Sequence, residues 1–233
     1  MDRRGFIGVC AAGAAITINP AQAASLRPRF YARTRLVDDT RQPLRAANLA
    51  VGRNYIFHYP YAATPCFLLN LGKPTQQAVT LKTETGGDYQ WPGGVGPRNS
   101  IVGYSAICAH QLSYPTRQIS FISYREQAGP SKLTHGNVIH CCSEHSEYDP
   151  ATGARVLGGP APQPLSAILL EHDKTNDHLY AVGTLGGEMF EAFFAKFEFK
   201  LALEYGANRA RQAVSGDVVV SELKKYCKQQ VQC

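Results

Sequence analysis

From residue 55 to residue 182, short apolar and aromatic runs alternate with Gly, Pro and Asn breaks. The runs are Tyr55 to Tyr59, Cys66 to Leu71, Ala78 to Lys82, Ile101 to Tyr104, Ile119 to Tyr124, Ala167 to Leu170 and Leu179 to Val182. Runs this short, bounded by turn residues, suit strands joined by tight connections. The expected fold is therefore all-β: antiparallel sheets in a sandwich or partly closed barrel. "FEFKLAL", residues 197 to 203, has Phe197, Phe199, Leu201 and Leu203 at period two and predicts one more strand. The segment from about Ser215 or Asp217 predicts a short helix with Val219, Leu223 and Tyr226 on one side. With 233 residues, 44% of them hydrophobic, the chain can bury one good core.

The first residues place Arg3 and Arg4 before an apolar run from Phe6 to Ile18, followed by Ala21-Gln22-Ala23. This reads as a twin-arginine signal over residues 1 to 23, with cleavage near Ala23. The run falls short of the roughly 20 residues that span a bilayer, which makes an uncleaved anchor the lesser alternative. Twin-arginine export carries proteins already folded, which suits a chain that takes up a cofactor before export. Residues 24 to 52 are Arg-rich with little periodicity and read as an extended N-terminal arm.

Lys and Arg are scattered at a net charge of +6, without the basic stripe that nucleic acid requires. "PGGVGPRNS", residues 92 to 100, is Gly-rich but lacks the spacing of a phosphate-binding turn. Seven Cys include Cys10 in the signal; the other six are too scattered for a disulfide scaffold. Cys227 and Cys233 could pair with each other, pair with Cys66, or stay free.

Two short stretches carry the chemistry. Cys108-Ala109-His110 and Cys142-Ser143-Glu144-His145 each set one thiol and one imidazole on a tight turn. Together they offer two sulfur and two nitrogen ligands. Zinc accepts such a set, but zinc modules usually space two Cys or two His together. When each loop supplies one of each, both Cys can hold one iron and both His the other, which is the Rieske arrangement of a two-iron, two-sulfur cluster. A Cys-His nucleophile is the weaker reading, because His140 or His145 adjacent to Cys141 in sequence rarely gives the required geometry and nothing resembles a protease signature. His58, His172 and His178 stand apart as surface or structural groups. His135 and His140 lie close enough to the site to be spare ligands, which is the lesser reading beside a structural one, and Cys66 reads as a small buried hydrophobe.

On these residues the chain resembles the Rieske proteins, and within them the small subunit of arsenite oxidase. "TPCFLLNLGKP", "GGVGPRNSIVGYSAICAH", "YDPATGARVLGGPAPQPL" and "LYAVG" fall in that family's order, over roughly residues 50 to 187. The resemblance implies a Rieske domain over residues 53 to 187, cluster-binding loops near 105 to 115 and 139 to 165, and a C-terminal extension over 188 to 233. It implies Cys108 and His110 as ligands, with Cys142 and His145 favoured in the second loop. Counting back from "SEYDP" puts Cys141 in the ligand-Cys position and Glu144 in the ligand-His position, so Cys141 with His145 stays open, as does a site that has lost its cluster. The family's loop-to-loop disulfide has no Cys on either side, since Ser113 and Ser143 occupy those positions. Ser146 and Tyr148 match hydroxyls that hydrogen-bond the cluster sulfurs, and Gly159-Pro160 belongs to a loop that covers it.

The function implied is one-electron transfer in the periplasm, without substrate chemistry on this chain. The implied partners are a larger redox subunit, either a molybdopterin oxidoreductase or a cytochrome b, and a cytochrome-like acceptor. The alternative is a structural or assembly subunit whose site is vacant or holds zinc.

Overall fold

The computed structural model describes residues 26–129, 135–206 and 208–233. The signal reading of residues 1 to 23 lies outside the described residues. The strands in chain order are β1 (Arg29–Val37), β2 (Tyr55–His58), β3 (Pro65–Asn70), β4 (Val79–Lys82), β5 (Asp88–Trp91), β6 (Ile101–Ser105), β7 (Ile119–Ser120) and β8 (Ile122–Arg125). They continue with β9 (Val138–Cys141), β10 (Ser146–Asp149), β11 (Arg155–Gly158), β12 (Ala167–Asp173), β13 (His178–Leu185), β14 (Gly216–Val219), β15 (Ser221–Glu222) and β16 (Gln229–Gln230). Two helices, α1 (Phe190–Tyr205) and α2 (Leu223–Tyr226), fall among the last of these. The fold is all-β, as the run spacing predicts.

Eight strands form one sheet in the order β14-β1-β13-β12-β6-β3-β2-β15. One continuous stretch nearly closes it into a barrel. Residues 216 to 219 pair in parallel with β1 at one edge, and residues 221 to 222 pair with β2 at the other. Closure removes the unpaired edges that an open sheet leaves. The interior on one side collects Leu36, Phe57, Tyr59, Leu68, Ile168 and Leu179, all buried.

Residues 29 to 37 are thus a strand inside the large sheet, between β13 and β14, and not an arm outside it. Low periodicity hid this strand, because most of its first half is exposed and only Thr34, Leu36 and Val37 are buried.

The period-two stretch at residues 197 to 203 is helical, which corrects the predicted strand. Phe199 and Leu203, two of the period-two residues, are 78% and 73% exposed. What is buried is Phe190, Phe193, Phe194 and Leu201, a helical stripe that begins before the alternating stretch. The segment is also rich in Ala, Leu, Glu and Lys, all strong helix formers, and helical geometry breaks only at Phe197. In the last segment the predicted helix is confined to α2, and residues 216 to 219 are strand. Among the described residues, no helix is long and apolar enough to cross a membrane.

A second sheet, β11-β10-β9-β8, carries the candidate site. Its residues Ile122, Tyr124, Ile139, Cys141 and Tyr148 join Tyr104 of β6 and Ala106 and Cys108 of the loop after it in one apolar cluster. Helix α1 supports the loop after β6: Phe190, Phe193 and Phe194 pack with Ile107, Leu112 and Tyr114, and Lys196 Nζ donates to the Gln111 carbonyl at 2.7 Å.

Candidate metal centre

The first loop closes on itself around Cys108. Its N–H donates to the Ser113 carbonyl at 2.9 Å, and the Leu112 N–H returns to the Cys108 carbonyl at 3.0 Å. Leu112 takes a left-handed conformation (φ 61°) to complete the turn. The second loop is the β9–β10 turn, where Cys141 pairs with Ser146 and His140 with Glu147. His145 is its left-handed residue (φ 57°).

Strand alternation decides what this hairpin presents on each side. Ile139, Cys141, Ser146 and Tyr148 share one face, against the first loop. Val138, His140 and Glu147 share the other, where Arg125 of β8 stands opposite Val138.

On the first face the Cys141 and Cys108 thiols are hydrogen-bonded to each other, and both residues are buried. Each sulfur also faces two backbone N–H groups of its own turn. His110 and Gln111 serve Cys108, and Ser143 and Glu144 serve Cys141. The bond from Cys141 is the main cause holding the Cys108 thiol down to about 6, against burial, which pushes it up. The shared proton stays on Cys141, whose own thiol is pushed up by the same bond and by burial. This face therefore holds one thiolate and one thiol above that pH, within a cradle of N–H donors.

Tyr148 is wholly buried, with its hydroxyl 3.3 Å from Cys108 Sγ, and it accepts the Ala109 N–H at 3.2 Å. Burial and the neighbouring thiolate push the phenol pKa up, so Tyr148 stays protonated and donates to the sulfur. Two buried polar atoms here have no partner: His110 Nδ1 and Ser146 Oγ. Buried polar groups are normally hydrogen-bonded, and two orphans beside a thiol pair mark a place for a group the protein itself does not supply. Gly159 (φ 82°) lies against the second loop, where a Cβ would fall within 2.5 Å of Ser146 Cα and still nearer the His145 carbonyl. The Gly159-Pro160 loop thus covers the hairpin turn at backbone contact.

Cys142 does not join this set. It forms a disulfide with Cys233, at a Cα separation of 5.7 Å, and a sulfur so bonded is no thiolate ligand. In this structure the pleat turns Cys141 inward to Cys108 and Cys142 outward to Cys233, which favours the open alternative, Cys141, as the second-loop thiol beside Cys108. Nor does the His145 ring meet Cys108 and Cys141. It lies beside His140, ring centroids 5.9 Å apart, on the opposite face. Counted from Ser146 and Tyr148, the position for a second imidazole holds Glu144, whose N–H already reaches Cys141. Cys108, Cys141 and His110 are donors of a kind that suits a two-iron cluster, and since iron accepts carboxylate beside imidazole, Glu144 is the candidate fourth donor by its position in the turn alone.

The sequence reading missed what gathers on the outer face. Arg125 donates to Cys142 Sγ at 2.5 Å and to the Val231 carbonyl at 3.1 Å, and it lies 3.3 Å from His140 Nδ1. Glu147, only 3% exposed, takes His135 Nδ1 at 2.7 Å and stands 3.7 Å from His140 Nδ1. The alternation of "VIHC" and "SEYD" was the available signal, since it places His140 and Glu147 together. Elsewhere, Cys66 is a buried thiol donating to the Tyr59 carbonyl at 3.0 Å, and Cys227 is free. His172 pairs with Asp177 at 2.7 Å.

No protein-family model matches the chain. Among solved structures, it is similar to the crystal structure of the soluble domain of the Rieske protein II (soxF) from Sulfolobus acidocaldarius, at 27% sequence identity and a TM-score of 0.44. The match covers 66% of this chain and 78% of that one.

Proposed function

We propose that the chain is an exported one-electron carrier of Rieske type, in which Cys108, Cys141 and His110, with Glu144 as the fourth donor, would hold a two-iron, two-sulfur cluster. A cluster of this kind supplies reversible one-electron chemistry when bound. The observation that carries the reading is the paired thiols of Cys108 and Cys141, each faced by two N–H groups, with His110 Nδ1 and Ser146 Oγ buried and unpartnered beside them. The protein's own part is to hold the two sulfurs in register, exclude water with the Gly159-Pro160 loop, and donate from Tyr148 to the Cys108 sulfur. His110 is partly exposed at the rim, which makes it the exit for the electron.

The donor in this reading is a larger redox subunit, a molybdopterin oxidoreductase or a cytochrome b, and the acceptor is a cytochrome-like protein. The Cys142–Cys233 disulfide supports a periplasmic setting, since such bonds persist in oxidising compartments.

The test is iron and acid-labile sulfide content of the exported protein, with electron paramagnetic resonance after dithionite reduction. About two irons per chain and a rhombic signal are expected. Cys108→Ser and Cys141→Ser should each abolish both, whereas Cys142→Ser should keep them. Properly exported protein without iron or sulfide would sink the reading and leave a structural subunit.

A further inference from the structure

The outer face of the β9–β10 hairpin assembles a second set of soft ligands that the cluster site does not use. A ring nitrogen of His140, a ring nitrogen of His145 and Cys233 Sγ all lie within 4.8 Å of one another. His140 Nε2 is 3.8 Å from Cys233 Sγ. Cys142 Sγ completes the group, because it is bonded to Cys233. In a tetrahedral zinc site with Zn–S of about 2.3 Å and Zn–N of about 2.0 Å, neighbouring donors stand roughly 3.5 Å apart. The three donors are close to that spacing already.

The surroundings are those of a built site. His140 is 1% exposed; its Nδ1 faces Arg125 at 3.3 Å and the buried Glu147 carboxylate at 3.7 Å, and its Nε2 faces Cys233 Sγ at 3.8 Å. Metal loading requires His140 Nδ1 to carry the proton and turn it to Glu147, the carboxylate–histidine arrangement that orients metal-binding imidazoles. Arg125 donates to both sulfurs, at 2.5 Å to Cys142 and 3.7 Å to Cys233. Charges would balance in the loaded state: two thiolates offset a dication, and Glu147 offsets Arg125.

We propose that reduction of the Cys142–Cys233 disulfide opens a Cys2His2 site for Zn2+ formed by Cys142, Cys233, His140 and His145. A dithiol reductant would deliver two electrons and two protons to the disulfide and leave as its own disulfide. Zn2+ would then displace the two thiol protons and bridge the sulfurs. Two-electron oxidation would re-form the S–S bond and expel the ion. In either state the C-terminal segment stays fastened to the second loop, by a covalent bond in one and by the metal in the other.

The test uses full-length Cys108→Ser/Cys141→Ser protein, so that thiols of the inner face cannot bind the probe. Its outcome is then independent of the cluster reading. Oxidised and phosphine-reduced samples are titrated with Co2+, read by thiolate-to-cobalt charge transfer, and then with Zn2+ by competition. One ion per chain is expected in reduced protein, with oxidised protein weaker by at least about 100-fold, as for a site whose thiolates are absent. His145→Ala, at an exposed position, should abolish the tetrahedral spectrum. Glu147→Gln should weaken binding by about 10- to 100-fold while keeping the spectrum. Equal affinity in both redox states, no ion in the reduced protein, or an unchanged spectrum in His145→Ala would each overturn the proposal.

Discussion

Replacing Tyr148 by Phe keeps the buried ring and deletes one hydroxyl, so it isolates the contact between the hairpin and the first loop. That hydroxyl accepts the Ala109 N–H at 3.2 Å and lies 3.3 Å from Cys108 Sγ. Ala109 is 3% exposed, so its N–H is left without acceptor or water, at a cost of about 1–3 kcal/mol in folding stability. The sulfur loses a donor as well. If that hydrogen bond strengthens by about 1 kcal/mol when the centre gains an electron, the potential falls by about 40 mV, since 59 mV corresponds to a tenfold change for one electron. In metal-free protein the Cys108 thiol should rise from about 6, because one of the groups holding it down is gone. The assays are denaturant unfolding, a redox titration followed by electron paramagnetic resonance, and thiolate absorbance against pH. An unchanged or raised potential in a variant with full iron content would refute the assigned donor. Unchanged stability would refute the claim that Ala109 depends on it.

Four other outcomes are expected. Cys233→Ser opens a covalent loop of 91 residues, for which chain entropy gives a loss of about 4–5 kcal/mol in denaturant unfolding; a loss below about 1 kcal/mol would mean that the disulfide does not constrain the unfolded chain. His58 lies 3.3 Å from the Tyr205 hydroxyl and 3.4 Å from that of Tyr226, and burial pushes it down to about 4. The unfolded chain therefore binds this proton more readily, so stability present above about pH 6.5 is lost as pH falls towards 4, by up to about 3 kcal/mol, and His58→Gln should flatten that stretch of the stability–pH curve. Gly159→Ala forces a side chain onto the backbone of residues 145 and 146 at a positive φ, and should cost about 1–3 kcal/mol and raise solvent access to the site, read by iron loss to a chelator. Glu144→His should raise the reduction potential by removing a negative charge from the second iron; an unchanged potential would take Glu144 off the ligand set.

The barrel was legible where strands are buried on at least one side between clear breaks, as at Tyr55 to Tyr59, Cys66 to Leu71 and Leu179 to Val182. It was not legible at β1, whose early residues are exposed, or at β14 and β15, which are held by pairing at the sheet edges more than by their own apolar pattern. The alternation at residues 197 to 203 misled because a period-two reading of a short apolar run is indistinguishable from a helical one until the buried partners are known. Phe190, Phe193 and Phe194 carry the helical period, and the shorter window left them out.

The second loop shows a finer limit of the same kind. Adjacent cysteines offer a sequence reader two registers one residue apart, and a ligand spacing chosen by count favoured Cys142, whereas the structure sets Cys141 beside Cys108. In a hairpin those registers are not neighbouring options, because consecutive side chains leave on opposite faces. The pairing of Cys141 with Ser146 commits Cys141 to the first loop and hands Cys142 to the outer face, where Arg125 and Cys233 receive it. Tyr148 and Ser146 already encoded this, since they share parity through the hairpin with Cys141 and not with Cys142. The departure of His145 from the inner face follows from the same geometry. It is the left-handed residue of the turn, and its side chain leaves on the face that His140 shares. That side is occupied by His140, so one inserted parity both removes an imidazole from the inner donor set and builds the outer one.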